Sequence, residues 1–375
     1  MAQPISNLSV GDKIKLGTYQ VEGSIREPIL WVVAGKNHYK DSLNPGIVDH
    51  VTLLTESMID LRGFDAKEPS NSNSDRKSYG NNRYRDSNLR QWLNKSVYPW
   101  FIKTHTADEP PTDSGMSQPT GYDDEPGFLS NLTAAEQSAL VPTTIRVVRN
   151  TVTDGGGSET VTDKIFLLSN TEVGLANENS IAEGSLLPLF SDNASRIAYA
   201  TQQCINNTKS GSKPSGTTAG WYWWLRTPLA GSANYVRGVR TDGTLVSNLA
   251  YFGGYGVRPA LNLKSEILVS DAPGEDGAYI MLGMGPFDVK WPKQPFQFTV
   301  PLRKITFSKV AIGEGLEVHA TNNPFATTPV WEDITQAVQN REAYIFQNQA
   351  VSGHGLQFRY KQLDGVLRGI GTTFE

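Results

Sequence analysis

The stretch from Gly220 to Leu263 constrains the fold of this chain more than any other segment. It opens with the aromatic run GWYWWLRTP at 220–228. Alternation along a strand would place Trp221 and Trp223 on one face. Tryptophans on a central strand bury a large area, so we expect Trp223 and Trp224 to belong to the core.

A β-hairpin is predicted directly after this run. The strand-like segments 234–240 and 245–252 flank the dipeptide Asp242-Gly243. This dipeptide favours a type I′ turn, in which both central residues adopt a positive φ. A further strand is expected at 256–263, GVRPALNL.

Length and composition favour two loop-rich, β-dominated domains. The chain has 375 residues, a length typical of about two domains. Charged residues make up 19%, against about 25% in an average globular chain, while 35 glycines and 21 prolines argue against a helical bundle. The net charge of -4 argues against broad binding to nucleic acid or to an anionic membrane.

Several chemical classes are not supported by the sequence. Cys204 is the only cysteine, which excludes an intrachain disulfide and a cysteine-based zinc site, and we expect a buried, inert thiol. The five histidines are scattered, and neither a phosphate-binding loop nor a G-x-S-x-G motif occurs. We therefore expect no catalytic residue, no metal and no cofactor.

The start of the chain and its hydropathy bear on location. The first residues lack a charged region followed by an apolar run, so we expect synthesis in a cytoplasm without a signal peptide. No stretch of about 18 apolar residues occurs, so no membrane insertion is expected. Release by lysis would still allow the protein to act outside the cell.

Shorter patterns predict the remaining elements of the first domain. The segment 69–82 is strongly polar and is expected to be an exposed loop. Thr133 and Glu136 have the spacing of a capping box, which predicts a helix through Ala134–Leu140. Apolar periodicity predicts strands at Lys13–Leu16, Ile29–Val33, Val51–Leu54 and Asp163–Ser169, and helices at Ser87–Leu93 and Ile197–Ile205.

Candidate ligand-binding residues crowd around the predicted hairpin. Tyr, Asn, Ser, Gly and Arg combine rigid amphipathic area with adaptable hydrogen bonding, which suits a binding surface. The alternative is an ordinary polar hairpin face. The candidates are Trp221, Tyr222, Asn234, Tyr235, Arg237, Arg240, Asn248, Tyr251 and Tyr255.

The pattern of the C-terminal part predicts a separate domain. Residues 273–295 are rich in Gly, Asp and Pro and are expected to form a linker. Residues 296–375 alternate as strands around Trp331 and Phe358, which predicts a small all-β, sandwich-like module for attachment or oligomerisation. One short helix or turn is expected at 331–338.

Residues 1–272 resemble a C-type-lectin-like domain found in gut Firmicutes and their phages. The resemblance lies in WWLRTP at 223–228, in Val236-Arg237 followed by Asp242-Gly243, and in GVRPALNL at 256–263. The layout is similar to formylglycine-generating-enzyme-like proteins and to the variable proteins of diversity-generating retroelements.

That resemblance implies an α+β domain with a twisted antiparallel sheet, two helices and a variable binding surface at the C-terminal hairpins. Residues 234–255 are the matching region. The enzymatic branch requires catalytic cysteines, and the single Cys204 lies outside the signature, so we expect a protein that is not an enzyme.

Residues 296–375 are similar to small β modules of phage structural proteins. The two resemblances together imply a phage virion protein, associated with the tail or baseplate, that binds a host-surface glycan or protein. Its partners would be other virion proteins and copies of itself. The alternatives are a capsid decoration or neck protein without receptor binding and, more weakly, a polysaccharide-acting enzyme.

Overall fold

The structure is a computed structural model that describes residues 2–22, 25–118, 120–282, 289–310, 317–361 and 370–374. It is mainly sheet, and the six α-helices of the described residues have at most six residues each. The expected α+β class therefore holds in its coarse form, as a largely β protein with a few short helices.

The first strands of the chain are β1 Ala2–Pro4, β2 Lys13–Glu22, β3 Ile25–Lys36, β4 His50–Thr55, β5 Asp60–Leu61, β6 Thr143–Val148, β7 Ser158–Asp163, β8 Ile165–Phe166, β9 Ala198–Tyr199, β10 Gly220–Trp221, β11 Trp223–Pro228 and β12 Tyr235–Val239. The later strands are β13 Leu245–Leu249, β14 Gly256–Val257, β15 Ala260–Lys264, β16 Leu268–Ser270, β17 Ala278–Ile280, β18 Val289–Gln297, β19 Lys304–Val310, β20 Glu317–Thr321, β21 Glu332–Asp333, β22 Tyr344–Ile345, β23 Gly355–Lys361 and β24 Ile370–Phe374.

The helices lie between these strands. The α-helices are α1 Ser74–Tyr79, α2 Asn88–Leu93, α3 Ala134–Ala139, α4 Asn193–Arg196, α5 Gln202–Asn207 and α6 Thr335–Asn340. Short 3-10 turns span Ile5–Asn7, Tyr84–Asp86, Phe128–Asn131 and Glu178–Ser180. None of the helices in the described ranges combines the length and apolar character that a bilayer crossing requires.

The chain divides into two compact units. The larger comprises Ile5–Ser265 and Ala272–Ile280, and the smaller comprises Met1–Pro4, Glu266–Asp271 and Met281–Glu375. Within the stretch 273–295 that composition marks as a linker, β17 pairs in parallel with β2 of the larger unit.

The described part of the larger unit contains two large sheets, together with the two-stranded pairs β6-β7 and β10-β9. The first has the order β17-β2-β3-β4-β15-β8, and the second has the order β13-β12-β11-β14-β5. The largest side chains of the core are tryptophans. Trp31, Trp92, Trp100, Trp223 and Trp224 are all fully buried, which confirms the core prediction for Trp223 and Trp224.

Local signals correctly located two helices. The Ser87 hydroxyl accepts a hydrogen bond from the Arg90 N–H at the start of α2, and Trp92 is buried on its apolar face. The capping box of α3 is present, with the Glu136 N–H bonded to Thr133 Oγ1 and the Thr133 N–H bonded to Glu136 Oε2. Each cap satisfies backbone donors that have no partner within the helix.

The hairpin of β12 and β13 is confirmed, but the predicted type I′ turn is wrong. Gly243 has a φ of 80°, whereas Asp242 stays outside the left-handed region. The Gly243 N–H donates to the Arg240 carbonyl at 2.9 Å, and the Arg240 N–H donates to the Thr244 carbonyl at 2.8 Å. A longer loop with one left-handed glycine joins the strands, an arrangement also common in hairpins.

Three other local predictions need correction. The polar segment 69–82 contains α1, whose N-cap Asn73 accepts from two backbone N–H groups, and Asn82 at its end is buried. The strand expected at Asp163–Ser169 is limited to the last residue of β7 and to β8, and residues 167–169 are not in a strand. The helix expected at Ile197–Ile205 is wrong in its first half, which contains β9, and α5 begins at Gln202 after its N-cap Thr201.

In its described residues the smaller unit has two main sheets and one helix, α6. Their orders are β18-β23-β20-β21 and β22-β19-β24. Residues of both sheets and of α6 share one hydrophobic core: Leu302, Ile305, Phe307, Val318, Ala320, Ile334, Val338, Phe346, Leu356 and Phe358. The helix or turn expected at 331–338 is only partly right, because Glu332–Asp333 forms β21 and α6 spans Thr335–Asn340.

Candidate functional site

The hairpin of β12 and β13 separates the candidate residues onto two faces. Tyr235 lies opposite Leu249, and Arg237 lies opposite Ser247, so these side chains share one face. Asn248 lies opposite Val236 and therefore projects from the other face. The structure thus does not gather all nine residues on one continuous surface.

Tyr255 is part of an aromatic stack on the Asn248 face. Its ring stacks on Tyr222 with centroids 5.1 Å apart and packs against Trp224 at 4.4 Å. Only 4% of Tyr255 is exposed, and burial raises the pKa of its hydroxyl to about 12, while a hydrogen bond with Asn248 acts in the opposite direction. Tyr255 is buried and supports the half-buried Tyr222 ring.

Trp221 is tied to the same stack. Its indole N–H donates to the Gly254 carbonyl at 2.9 Å, and its ring meets Tyr222 edge-on at 5.7 Å. Both rings are half-buried. Trp221 and Tyr222 therefore present partly exposed aromatic area whose orientation is fixed by backbone and ring contacts.

Asn234 shapes the loop before β12 and is itself buried, with 3% of its surface exposed. Its Oδ1 accepts a hydrogen bond from the Ser232 hydroxyl at 2.7 Å, and its carbonyl accepts from the Ala250 N–H. Tyr235 follows it and is 37% exposed. Asn234 thus positions the chain where Tyr235 reaches solvent.

The two arginines of the candidate set differ in environment. Arg237 forms an ion pair with Glu178, with its Nε 2.6 Å from Oε1, and Glu178 also accepts from the Ala230 N–H. Arg240 lies exposed in the hairpin loop. Arg237 is therefore held by a protein partner, while Arg240 faces solvent.

A hollow of about 500 Å³ forms beside Tyr235; we call it the tyrosine hollow. Tyr235 and Tyr79, each more than a third exposed, lie among its lining residues. Tyr251 adjoins it, because its ring lies 5.6 Å from the Tyr79 ring and its N–H donates to the Tyr79 carbonyl. The lining consists of Asp75, Tyr79, Val152, Leu229, Gly231, Ser232, Ala233, Asn234, Tyr235 and Leu249.

Buried polar contacts fix the walls of the tyrosine hollow. The Asn82 amide donates to the carbonyls of Ser232 and Tyr235 at 2.8 and 2.9 Å. Arg76 donates to the Ala233 carbonyl and pairs with Asp154. Tyr79 was absent from the sequence-based candidates because its segment was expected to be a loop, and only the N-cap signal of Asn73 pointed to a helix there.

A second cavity, the Arg62 cleft, lies elsewhere in the larger unit. It has a volume of about 350 Å³. Its polar or charged lining residues are Tyr19, Arg26, Asp60, Arg62, Thr120, Glu125, Ser130, Asn131, Asn207, Thr208 and Lys209, and its others are Leu61, Trp92, Gly121 and Pro126. None of the nine candidate residues lines the cleft. No single stretch of the sequence indicates it, because its lining residues come from distant parts of the chain.

Arg62 organises this cleft. Its Nη2 donates to Asp60 Oδ2 at 2.6 Å and to Glu125 Oε2 at 2.5 Å. The Tyr19 hydroxyl also donates to Asp60 Oδ2 at 2.6 Å. Burial, followed by the nearby Asp60 charge, raises the pKa of Tyr19 well above its usual value, so this phenol remains a proton donor at neutral pH.

The side chains of WWLRTP at 223–228 have a structural role in this protein. Arg226 is fully buried and binds both carboxylate oxygens of Glu172. The indole N–H groups of Trp223 and Trp224 donate to the carbonyls of Arg196 and Arg62. These contacts join distant segments of the fold and leave the motif no side chain on the surface.

Thiol and metal chemistry have no centre among the described residues. Cys204 is buried, and burial raises the pKa of its thiol well above its usual value, as expected for an inert thiol. No grouping of three or more His, Cys, Asp or Glu side chains that could hold a metal ion occurs in the part of the chain that the structure describes.

Comparison with known proteins identifies one family. Residues 49–265 match the family described as Domain of unknown function (DUF6273), and this match covers more than half of the chain. The protein belongs to this family. No curated protein and no solved structure matches the chain.

Proposed function

We propose that the protein is a phage virion component, associated with the tail or baseplate, that binds a host-surface ligand through the tyrosine hollow. The observation that carries the binding assignment is the pair of partly exposed rings, Tyr79 and Tyr235, beside one cavity of about 500 Å³. Tyrosine provides large, rigid contact area together with a hydroxyl for hydrogen bonding.

The fixed walls of the hollow favour binding. The Asn82 amide holds the Tyr235 segment, and Arg76 links α1 to the Ala233 carbonyl. A preorganised surface loses little conformational entropy when it captures a ligand. The volume also lies within the range of cavities that hold small ligands or the tip of a larger one.

The candidate residues take different parts in this proposal. Tyr235 would contact the ligand directly, Tyr251 would support Tyr79, and Asn234 would position the loop. Arg240 is exposed in the hairpin loop and does not line the hollow. Trp221, Tyr222 and Asn248 belong to the aromatic stack around Tyr255 and do not line it either.

The virion assignment rests on resemblance. Residues 1–272 resemble C-type-lectin-like domains of gut bacteria and their phages, and residues 296–375 are similar to phage structural β modules. In this proposal the smaller unit attaches the protein to other virion proteins or to further copies. Multivalent display would then raise the effective affinity for a host-surface glycan or protein by orders of magnitude.

The test measures binding of labelled, purified protein to cells of a panel of gut Firmicutes. We expect binding to at least one strain, and we expect Tyr235→Ala with Tyr251→Ala to weaken it about tenfold or more. The matched control is Tyr199→Ala, which removes an exposed tyrosine that does not line the hollow.

Equal binding by the double variant, with an unchanged melting temperature, would overturn the site. Absence of binding to every strain would overturn the receptor-binding role. If labelling of intact particles shows the tyrosine hollow covered by a neighbouring subunit, the alternative of a decoration or neck protein replaces this proposal.

A further inference from the structure

The Arg62 cleft has the features of a prepared polar binding site. Its walls come from segments far apart in the sequence, including β5, α2 and the loop around Glu125. Most of its lining residues are polar or charged. Such a lining suits a ligand with several hydrogen-bonding groups.

The Arg62 side chain is fixed at the cleft but is incompletely satisfied. Its guanidinium carbon lies 4.3 Å from the Trp92 ring centroid and 4.7 Å from that of Tyr122. Its Nη2 binds Asp60 and Glu125, yet the buried Nε has no hydrogen-bond partner among the described residues. A buried donor on a charged group is costly without a partner, and this Nε has almost no accessible surface, so Arg62 forms a rigid, desolvated wall of the cleft that holds Glu125 in place.

Glu125 gives the cleft an accessible acceptor. Its side chain is 44% exposed, and only its Oε2 is engaged by Arg62 in the described part of the chain. The Arg26 and Lys209 side chains add donors to the lining. The same cleft therefore presents an acceptor, Glu125, and donors, Arg26 and Lys209. This combination suits the vicinal hydroxyl groups of a sugar, because each hydroxyl both donates and accepts.

The balance of charge argues against a polyanion. Arg62 is paired with two carboxylates, and Lys209 lies 3.6 Å from Asp113. The cleft therefore lacks the uncompensated group of cations typical of phosphate sites. Only Glu125 has an exposed carboxylate, since Asp60 is buried and engaged by both Arg62 and Tyr19, whereas glycosidase catalysis needs a pair of carboxyl groups at the substrate, so binding is the better interpretation than hydrolysis.

We propose that the Arg62 cleft binds a neutral saccharide of one or two rings, held at ring hydroxyls by the exposed side chains of Glu125 and Lys209, while Arg62 fixes the Glu125 carboxylate. This site is separate from the tyrosine hollow and does not depend on the host-binding role. Asp60 and Tyr19 act as positioning residues, because they orient Arg62 without offering their own engaged atoms to the ligand.

The experiment titrates the full-length protein with maltose, lactose, mannobiose and N,N′-diacetylchitobiose, monitored by saturation-transfer difference NMR. We expect at least one disaccharide to bind in the millimolar range, and we expect Glu125→Gln to weaken that binding about tenfold. The matched control is Glu109→Gln, whose side chain is similarly exposed at 41% and does not line the cleft. Lys209→Met provides a second lining variant if Glu125→Gln lowers the melting temperature.

Each outcome decides the proposal. No binding of any of the four disaccharides at about 10 mM, or equal binding by folded Glu125→Gln and Lys209→Met, overturns it. Binding of inorganic phosphate that Glu125→Gln strengthens would identify an anion site instead. The variant Tyr235→Ala with Tyr251→Ala should retain disaccharide binding, and loss in that variant would assign the sugar to the tyrosine hollow.

Discussion

Arg226 and Glu172, which are 54 residues apart in the sequence, form a fully buried, bidentate ion pair. The Nη1–Oε2 and Nη2–Oε1 distances are 2.6 and 2.9 Å, and Arg226 also donates to the carbonyls of Leu167 and Glu183. The Tyr39 hydroxyl donates to Glu172 at 3.0 Å. The pair therefore sits within a network that satisfies its charged groups and links several segments of the larger unit.

Replacing Arg226 by Met should destabilise the larger unit strongly. The substitution leaves the Glu172 carboxylate buried without its cation, a change that costs about 3–5 kcal/mol in comparable buried pairs. Urea unfolding followed by tryptophan fluorescence measures this loss. The double variant with Glu172→Met should recover part of it, and the exposed control Arg240→Met should change stability by less than about 0.5 kcal/mol.

The hairpin loop should not tolerate a side chain at Gly243. Its φ of 80° disfavours other residues, and an added Cβ would lie 1.8 Å from the Asn193 carbonyl oxygen. We expect Gly243→Ala to cost more than about 1 kcal/mol in the free energy of unfolding. Gly231→Ala is the control, since no atom lies within 4 Å of its added Cβ and its φ is not positive. Equal stability of both variants would show that the loop accepts a side chain at position 243.

The His105–Glu68 pair should make stability depend on pH. The hydrogen bond that the His105 Nε2–H donates to the Glu68 carboxylate is the main reason that the pKa of His105 is raised above its usual 6.5. A raised pKa in the folded state means that the stabilisation is fully present below pH 6.5 and is lost as pH rises through the folded pKa.

The comparison of wild type with His105→Asn isolates this contribution. Melting temperatures between pH 5 and pH 9 should differ most at the acidic end and converge towards the alkaline end. A constant difference across this range would show that protonation of His105 does not stabilise the fold.

Cys204 should resist thiol reagents in the folded protein. It has no exposed surface, and burial raises its pKa well above the usual value, so little reactive thiolate is accessible. We expect reaction with Ellman's reagent to be slower by a factor of about 100 or more than in 6 M guanidinium chloride, because labelling must await opening of the fold. Rapid, complete labelling under native conditions would place the thiol at the surface.

Local sequence signals predicted several elements because their physical cause is local. The Ser87 hydroxyl caps α2 within three residues, and the capping box of α3 joins Thr133 to Glu136 over the same distance. The hairpin followed from two strand-like runs around Asp242-Gly243. Its turn type was missed because the choice between loop geometries also depends on packing, here the approach of Asn193 to Gly243.

The candidate site was predicted less completely. Tyr235 was expected at a binding surface, and it lines a hollow, but Tyr79 joins that hollow through contacts across more than 150 residues. Tyr255 is of a residue type that is common at binding surfaces, yet it is buried between Tyr222 and Trp224. A single sequence shows which residues are suited to contact a ligand and does not show which of them the sheets cover.

The sequence by itself determined the aromatic core strand, the hairpin, two capped helices and the largely β character, because periodicity and capping act over a few residues. Tertiary structure decided which aromatic rings reach solvent and which polar groups meet. Arg62, Asp60 and Glu125 form one network only because separate segments pack together. The pairing of Arg226 with Glu172 was likewise decided by the fold. Two residues 54 positions apart form an ion pair only when their segments pack together in the core.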